Sequence, residues 1–227
     1  AWWREGEDAL IVRRPGEAPR ERLAAMGGDG ADGASVCGPV VGAEGALIAA
    51  ARGSELVALS PLSDDEPIRE DVGADVRDLV AGGDRLYVAT DGALRALTWL
   101  NGRLISSWQV GLPCAPANEL LAASKGELVL LLADGRVARV HDEGAEGRLV
   151  VSASPALNDP GARAALLGLD GLVAEQGAGL ASLRWMEEEG SLQARPGWRF
   201  GLPNGLGGDL VVDTAGHVVL LDGAGVL

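Results

Sequence analysis

The sequence is poor in the residues that build disulfide frameworks, metal centres and basic surfaces. Its 227 residues include two cysteines, two histidines and one lysine, Lys125, against 33 acidic residues. Cys37 and Cys114 do not form a Cys-x-x-Cys pair and are too few for a disulfide framework, so we expect two unpaired thiols. His141 and His217 have no second histidine or cysteine at metal-ligand spacing. We therefore expect both histidines to be solvent-exposed and predict no metal site.

Basic clusters and long apolar runs are also missing. The net charge of -14 means that the average surface would repel a nucleic-acid backbone. No apolar run approaches the roughly 18 to 20 residues that span a bilayer, and no signal-peptide pattern is found. We therefore expect a soluble chain, cytoplasmic rather than periplasmic, with no nucleic-acid partner and no membrane insertion.

Glycine, by contrast, is abundant and recurs at a regular spacing. An apolar strand of the form Leu-x-(Val/Ala), with Leu-x-Leu in the one that begins at Leu128, is followed by glycine six or seven positions after its first leucine, and this pattern occurs six times. The turn glycines, 37 to 44 residues apart, are Gly16, Gly53, Gly92, Gly135, Gly179 and Gly216. A period near 40 with about four short strands per unit is typical of a β-propeller blade, because each small sheet must stack on neighbours to bury its faces.

The clearest strands lie between Leu86 and Trp108, where alternating apolar and polar residues are separated by glycine turns and predict an antiparallel meander. The sequence therefore predicts an all-β fold, a propeller of four-stranded antiparallel blades with about six blade equivalents. Residues 1–227 form one such domain or part of one, and the last blade lacks its outer strand, which further chain or another subunit would supply. The expected blades are 1–34, 35–74, 75–113, 114–158, 159–203 and 204–227.

Two of the six sequence repeats, the third and the fifth, share more than the glycine turn. Trp108-Gln-Val-Gly-Leu-Pro113 matches Trp198-Arg-Phe-Gly-Leu-Pro203, and Trp99 and Trp185 each lie two residues after a strand leucine. These two repeats are copies of one another.

Pro196 lies in the last strand of the fifth repeat, and we expect that strand to be at a sheet edge, because proline cannot donate a ladder hydrogen bond.

The third sequence repeat resembles the quinoprotein-type propeller repeat. Ala96-Leu97-Thr98, the turn at Gly102 and an aliphatic strand ending in Trp108 follow that repeat, although Thr98 replaces the usual aspartate. The resemblance implies that Trp108 and Trp198 dock neighbouring blades. WD-repeat propellers are the competing assignment, but the sequence has no Gly-His to Trp-Asp pairing. The family includes quinone-dependent dehydrogenases and non-enzymatic assembly factors, so the fold does not decide activity.

The enzymes of this family have a vicinal cysteine pair over the quinone, and this sequence has none. The predicted innermost strands are small and apolar, with Asp78 as the charged exception. We therefore expect no catalytic residue and no cofactor, and predict a non-enzymatic scaffold or sensor module that binds protein partners within a larger protein or complex. The alternative is a small-molecule-binding or enzymatic propeller that uses its central channel.

Two features are candidate partner-binding surfaces. Predicted turns between outer strands are acidic, and their candidate residues are Asp64, Asp65, Glu66, Asp142, Glu143, Glu187, Glu188 and Glu189. They are either a solvated face or a docking face for a basic partner, whose binding would weaken with salt. Trp2 and Trp3 are either covered by a neighbouring blade or an exposed hot spot for a partner.

Overall fold

The computed structural model describes short strands near the start of the chain and most residues after position 35. The described residues are 2–4, 9–12, 22–25, 36–42, 45, 47–61, 66–117, 121–122, 126–157, 163–167, 170–188, 190–202, 204, 206–207, 210–212 and 216–219. Among these, side chains are described from residue 36 onward, residues 121 and 122 excepted. The chain divides into two compact units, Ala1–Pro113 with Glu143–Gly147, and Cys114–Asp142 with Arg148–Leu227.

The first unit begins with a three-stranded antiparallel sheet. Its strands, in spatial order, are β1 (Trp2–Arg4), β2 (Ala9–Val12) and β3 (Arg22–Ala25). Trp2 pairs with Ile11 and Trp3 pairs with Leu10 across the ladder. The two adjacent tryptophans therefore lie in the first strand.

Two four-stranded antiparallel meanders follow in the described part of the first unit. The first contains β4 (Val36–Gly42), β5 (Leu47–Arg52), β6 (Glu55–Leu59) and β7 (Ile68–Asp71). The second contains β8 (Val76–Gly82), β9 (Arg85–Thr90), β10 (Ala93–Leu100) and β11 (Arg103–Gly111). Asn101 and Gly102, both at positive φ, join β10 to β11 in the two-residue turn that Asn-Gly favours. The predicted meander is confirmed.

The core of the first unit joins these two meanders. Alanines such as Ala49 and Ala51 on β5 are fully buried beside leucines and valines, so the sheets approach closely. Strands buried on both faces consist of nearly continuous apolar residues, as β5 and β9 do. The buried residues of this cluster are Cys37, Leu47, Ala49, Ala51, Leu56, Ala58, Val72, Val76, Leu79, Leu86, Val88 and Leu97.

The second unit contains two more four-stranded antiparallel meanders and a short ribbon. The first meander contains β12 (Leu121–Ala122), β13 (Glu127–Leu131), β14 (Val137–Asp142) and β15 (Gly147–Val151). The second contains β16 (Ala164–Leu166), β17 (Gly171–Glu175), β18 (Gly179–Glu188) and β19 (Ser191–Gly201). The ribbon pairs β20 (Val211–Val212) with β21 (Val218–Val219). Pro196 lies in β19 at the sheet edge, as predicted.

Apolar clusters lie on both sides of the sheet that contains β18. One cluster joins it to β13 and β14 through residues such as Val129, Leu183 and Trp185. The other contains Leu180 and Leu210, with Val218 of β21 packed against it. Both faces of this sheet therefore contribute to hydrophobic packing near its inner strands.

The sequence prediction of an all-β chain built from antiparallel four-stranded sheets is confirmed. Among the residues that the structure describes, no helix is long and apolar enough to cross a membrane.

Candidate functional site

The hairpin of β18 and β19 has one face that is covered and a second face that is buried at Leu180 and Ser182 but open from Arg184 onward. Alternate strand residues point to opposite faces, and along β18 Leu183 and Trp185 are buried whereas Arg184 and Met186 are exposed. Arg184 pairs in register with Arg195 of β19, which is also exposed. The buried set packs into the core that β13 and β14 share, so the exposed set forms a separate surface.

Two aromatic side chains extend this surface toward the end of β19. Trp198 is 44% exposed and Phe200 is 57% exposed, in a chain with six tryptophans and one phenylalanine. Large aromatic side chains normally bury their area, and when exposed together they are typical of protein interfaces. We call the five exposed residues Arg184, Met186, Arg195, Trp198 and Phe200 the β18–β19 face.

A β-bulge positions Trp198 on this face. The register shifts between Ala181 and Leu183, so that Ser182 lies opposite two residues of β19, Gly197 and Trp198. The Trp198 amide donates a hydrogen bond of 2.9 Å to Oγ of Ser182, whose side chain is buried. A Cβ on Gly197 would lie 2.3 Å from that Oγ, so glycine is required for this close approach.

An open groove runs beside the two aromatic rings. It has a volume of about 450 Å³ and is lined by Leu180, Trp198, Arg199, Phe200 and Val218. Leu180 is buried and provides an apolar floor, and Val218 comes from β21. The groove is therefore mainly apolar, and Arg199 is the one charged residue among those that line it.

Arg184 and Arg195 place two positive charges directly opposite each other. Like charges at paired positions of an antiparallel ladder repel, because their Cβ atoms are only about 4.5 to 5.5 Å apart. No carboxylate of the described residues forms an ion pair with either guanidinium. The β18–β19 face thus carries a local positive charge in a chain whose net charge is -14.

A second polar cluster of this unit is, in contrast, internally neutralised. His141 Nε2 of β14 and Glu187 Oε2 of β18 are 2.8 Å apart, and Arg148 of β15 donates to Glu187 Oε1 at 2.5 Å. Arg139 donates to Glu127 Oε2 at 2.6 Å, beside the same histidine. Each carboxylate of this cluster therefore has a basic partner.

The Glu187 carboxylate is held in its ionised form. The hydrogen bond from Arg148 lowers the pKa of Glu187, burial opposes this by raising it, and His141 lowers it further. The His141 side chain is only 15% exposed, so the expectation of a solvent-exposed residue at this position was wrong. The sequence gives no signal for this contact, because His141 and Glu187 are 46 residues apart.

The acidic candidates from the sequence have different surroundings. Glu66, Glu143 and Glu188 are exposed, Asp142 is half-buried, and Glu187 is engaged in the cluster just described. Asp64, Asp65 and Glu189 lie outside the described residues, as do the side chains of Trp2 and Trp3. Among the described residues, no three His, Cys, Asp or Glu side chains are grouped to hold a metal ion.

The two tryptophans with matching sequence surroundings differ in exposure. In the first unit Trp108 is 6% exposed, and a Cβ added to Gly147 would lie 2.5 Å from Cε3 of its ring. The Glu143–Gly147 turn therefore covers Trp108, and Arg85 donates a hydrogen bond of 2.8 Å to the carbonyl of Gly144 in that turn. Trp198 has no such cover among the described residues, which the repeat alone did not reveal.

Comparisons with known proteins support the fold but give no family. No protein-family model matches the chain, and no curated protein matches it. Hsv2 of Kluyveromyces lactis, a β-propeller protein, is similar with a TM-score of 0.55 and 11% identity over 86% of this chain and 69% of Hsv2. A functionally unknown protein of Desulfotomaculum acetoxidans is similar with a TM-score of 0.59 and 12% identity, over 79% of this chain and 61% of that one.

Proposed function

We propose that the chain forms all or part of a quinoprotein-like β-propeller and serves as a non-enzymatic module that binds a protein partner. The repeated four-stranded meanders, the period near 40 residues and the likeness to Hsv2 support the propeller. The docking of Trp108 against the Glu143–Gly147 turn supports the quinoprotein-like repeat. Six blade equivalents remain part of this proposal.

Binding of a protein is supported above all by the exposure of Trp198 and Phe200. Both rings border an apolar groove whose floor is the buried side chain of Leu180. Aromatic residues, methionine and arginine are enriched in the central, energetically dominant parts of protein interfaces, and the β18–β19 face contains all three types. A partner that covered these rings would remove a large apolar area from water.

A non-enzymatic role is supported by the way in which ionisable groups are used. A general acid must hold a proton near its working pH and a general base must accept one readily, but Arg148 and His141 keep Glu187 ionised and lower its pKa, which also makes it a weaker base. Glu127 is likewise engaged by Arg139. These side chains tie β13, β14, β15 and β18 together, which suits a rigid frame that presents a binding surface.

The test is affinity capture from an extract of the natural source, with three forms of the chain as bait. The wild type is compared with Trp198→Ser/Phe200→Ser and with a control, Leu100→Ser/Ile105→Ser, which removes two exposed apolar side chains of β10 and β11. We expect a specific protein that the wild type and the control capture equally and that the aromatic variant captures at least about tenfold less.

Two results would count against this function. One is equal capture of every protein by all three baits, because the aromatic pair would then play no part. The other is the absence of any protein that the wild type captures above an unrelated acidic bait. Turnover of a small molecule by the purified chain would favour the alternative of an enzymatic propeller.

A further inference from the structure

We infer that the β18–β19 face binds an acidic, glycine-containing turn presented by a partner protein. This inference rests on the proposed protein-binding function and specifies the chemistry of the partner. It combines three observations: a cross-strand pair of arginines that forms no ion pair with any described residue, an adjacent aromatic groove, and the way in which this chain covers the matching tryptophan of its first unit.

The arginine pair identifies the charge of the partner. Arg184 and Arg195 are opposite each other, exposed, and without a described carboxylate at ion-pair distance. A carboxylate between them would replace their repulsion with charge-assisted hydrogen bonds, and guanidinium groups can bind a carboxylate with two parallel bonds. In a chain of net charge -14, such a positive site favours an acidic segment over a basic one.

The aromatic groove identifies the size of the segment. Trp198 follows Arg195 by three residues, which is about 10 Å along a strand or less where the bulge shortens it. A turn of four to six residues can therefore place a carboxylate on the arginines and its backbone on the tryptophan ring at the same time. Phe200 and the Leu180 floor continue the surface for an apolar residue that flanks the turn.

The first unit shows which kind of turn fits a tryptophan in this sequence setting. Trp108 is covered by Glu143–Gly147, a turn with two glutamates and two glycines. Gly147 is necessary because any Cβ there would overlap the indole ring. The carbonyl of Gly144 accepts a hydrogen bond from Arg85, so an arginine already helps to hold this turn.

The second unit differs from the first at the position that sets the charge. Leu97-Thr98-Trp99 of β10 corresponds to Leu183-Arg184-Trp185 of β18, so an arginine replaces a threonine on the open face. Thr98 is bonded within its own unit to Arg85 and to Ser107. Arg184 has no equivalent partner among the described residues, which leaves its charge available for a second molecule.

The first test uses a defined peptide probe. A disulfide-cyclised, fluorescein-labelled peptide carries the sequence Asp-Glu-Gly-Ala-Glu-Gly, taken from residues 142–147, and a neutral counterpart carries Asn and Gln in place of the acids. Fluorescence anisotropy measures its binding to the wild-type chain, to Arg184→Glu/Arg195→Glu, and to the control Arg103→Glu, which alters an exposed arginine of β11. We expect at least tenfold weaker binding by the double variant, and unchanged binding by the control.

The neutral peptide should bind the wild type at least tenfold more weakly than the acidic one, and binding of the acidic peptide should weaken as salt is raised from about 0.1 to 0.5 M. Equal binding of the two peptides, or no binding of either, would overturn the inferred partner chemistry. If the capture experiment still depends on Trp198 and Phe200 in that case, the protein-binding function stands and only the acidic turn is wrong.

The second test asks whether another part of the same protein occupies the face. Arg184→Lys/Arg195→Lys keeps both charges and adds two reactive amines to a chain whose one natural lysine is Lys125. Carbodiimide coupling of this variant with the acidic peptide should link the new amines to the peptide, whereas Arg103→Lys should not react. Links from position 184 or 195 to a carboxylate of the same chain, or between isotopically distinct copies, would overturn the inference, because the face would then be covered without a separate partner.

Discussion

The indole ring of Trp108 lies directly against Gly147, so closely that an added Cβ would be 2.5 Å from the ring atom Cε3. Trp108 is also 6.0 Å from the ring of Tyr87, centre to centre, and the two rings are tilted by 43°. The tryptophan is therefore enclosed between an aromatic neighbour and a glycine turn. This relationship explains why Trp108, one member of the repeated Trp-x-x-Gly-Leu-Pro pair, is buried.

Gly147→Ala should destabilise the first unit. The new methyl group must displace the Trp108 ring or the Glu143–Gly147 turn, and overpacking of this kind costs about 1 to 3 kcal/mol. The matched control is Gly111→Ala on β11, where a Cβ meets no atom within 4 Å and the backbone is not in the left-handed region. Urea denaturation should show the loss for Gly147→Ala alone. Equal effects of the two substitutions would contradict the packing described.

Removal of the two equivalent tryptophans should have unequal effects on stability. Trp108→Ala empties a buried site and should lower the free energy of unfolding by about 3 to 5 kcal/mol. Trp198→Ala removes a ring that is 44% exposed and should cost less than about 1 kcal/mol. The comparison is made by denaturation of the purified chain without a partner. A loss at Trp198 as large as that at Trp108 would mean that Trp198 is a structural docking residue.

Ser182→Ala should weaken the bulge that positions Trp198. The substitution removes the Oγ that accepts the 2.9 Å hydrogen bond from the Trp198 amide. The Trp198 N–H then has no acceptor, and loss of a partner for a buried donor lowers the free energy of unfolding by about 1 to 3 kcal/mol. Ser191→Ala, at an exposed position of the same hairpin, is the control. Hydrogen exchange of the Trp198 amide should accelerate in Ser182→Ala only. Unchanged exchange in that variant would show that Oγ does not protect this amide.

The Glu187 cluster should make stability depend on pH in a defined direction. Because its pKa in the folded state is lowered from the ordinary value of 4.5, Glu187 stabilises the fold above that value. This contribution is lost as the pH falls through the lower, folded-state pKa. Glu187→Gln should cost about 1 to 2 kcal/mol at pH 7 and progressively less toward pH 3, since the wild type then loses the same interaction.

The control for this prediction is Glu188→Gln, the exposed neighbour on β18. It should change the free energy of unfolding by no more than about 0.5 kcal/mol at any of these pH values. If Glu187→Gln behaved like this control, the bonds to Arg148 and His141 would not contribute to stability.

The strands of this chain could be predicted from its sequence because their signals are local. The alternation between Leu86 and Trp108 and the Asn101-Gly102 turn specify the meander of β9, β10 and β11 with no reference to distant residues. Pro196 similarly predicted the edge position of β19, because proline lacks the backbone N–H that a residue of a central strand donates to its neighbour.

The candidate site could not be predicted in the same way because it depends on contacts between distant segments. The repeat assigned Trp198 the same docking role as Trp108, but the ring is buried only where a turn such as Glu143–Gly147 covers it. Glu187 was predicted to lie on an acidic face that is either solvated or a docking surface, whereas its carboxylate accepts a hydrogen bond from Arg148, 39 residues away. One signal was present in the sequence, namely that the only phenylalanine follows a tryptophan by two residues and so shares its face of the strand.

The most direct test of the account is the affinity of the captured partner for the β18–β19 face, measured by calorimetric titration with purified proteins. Trp198→Ser/Phe200→Ser should raise the dissociation constant about 100-fold, equivalent to about 2.7 kcal/mol, whereas Leu100→Ser/Ile105→Ser should leave it within twofold of the wild-type value. A dissociation constant that changes by less than twofold in the aromatic variant would contradict the account, because the partner would then bind elsewhere on the chain.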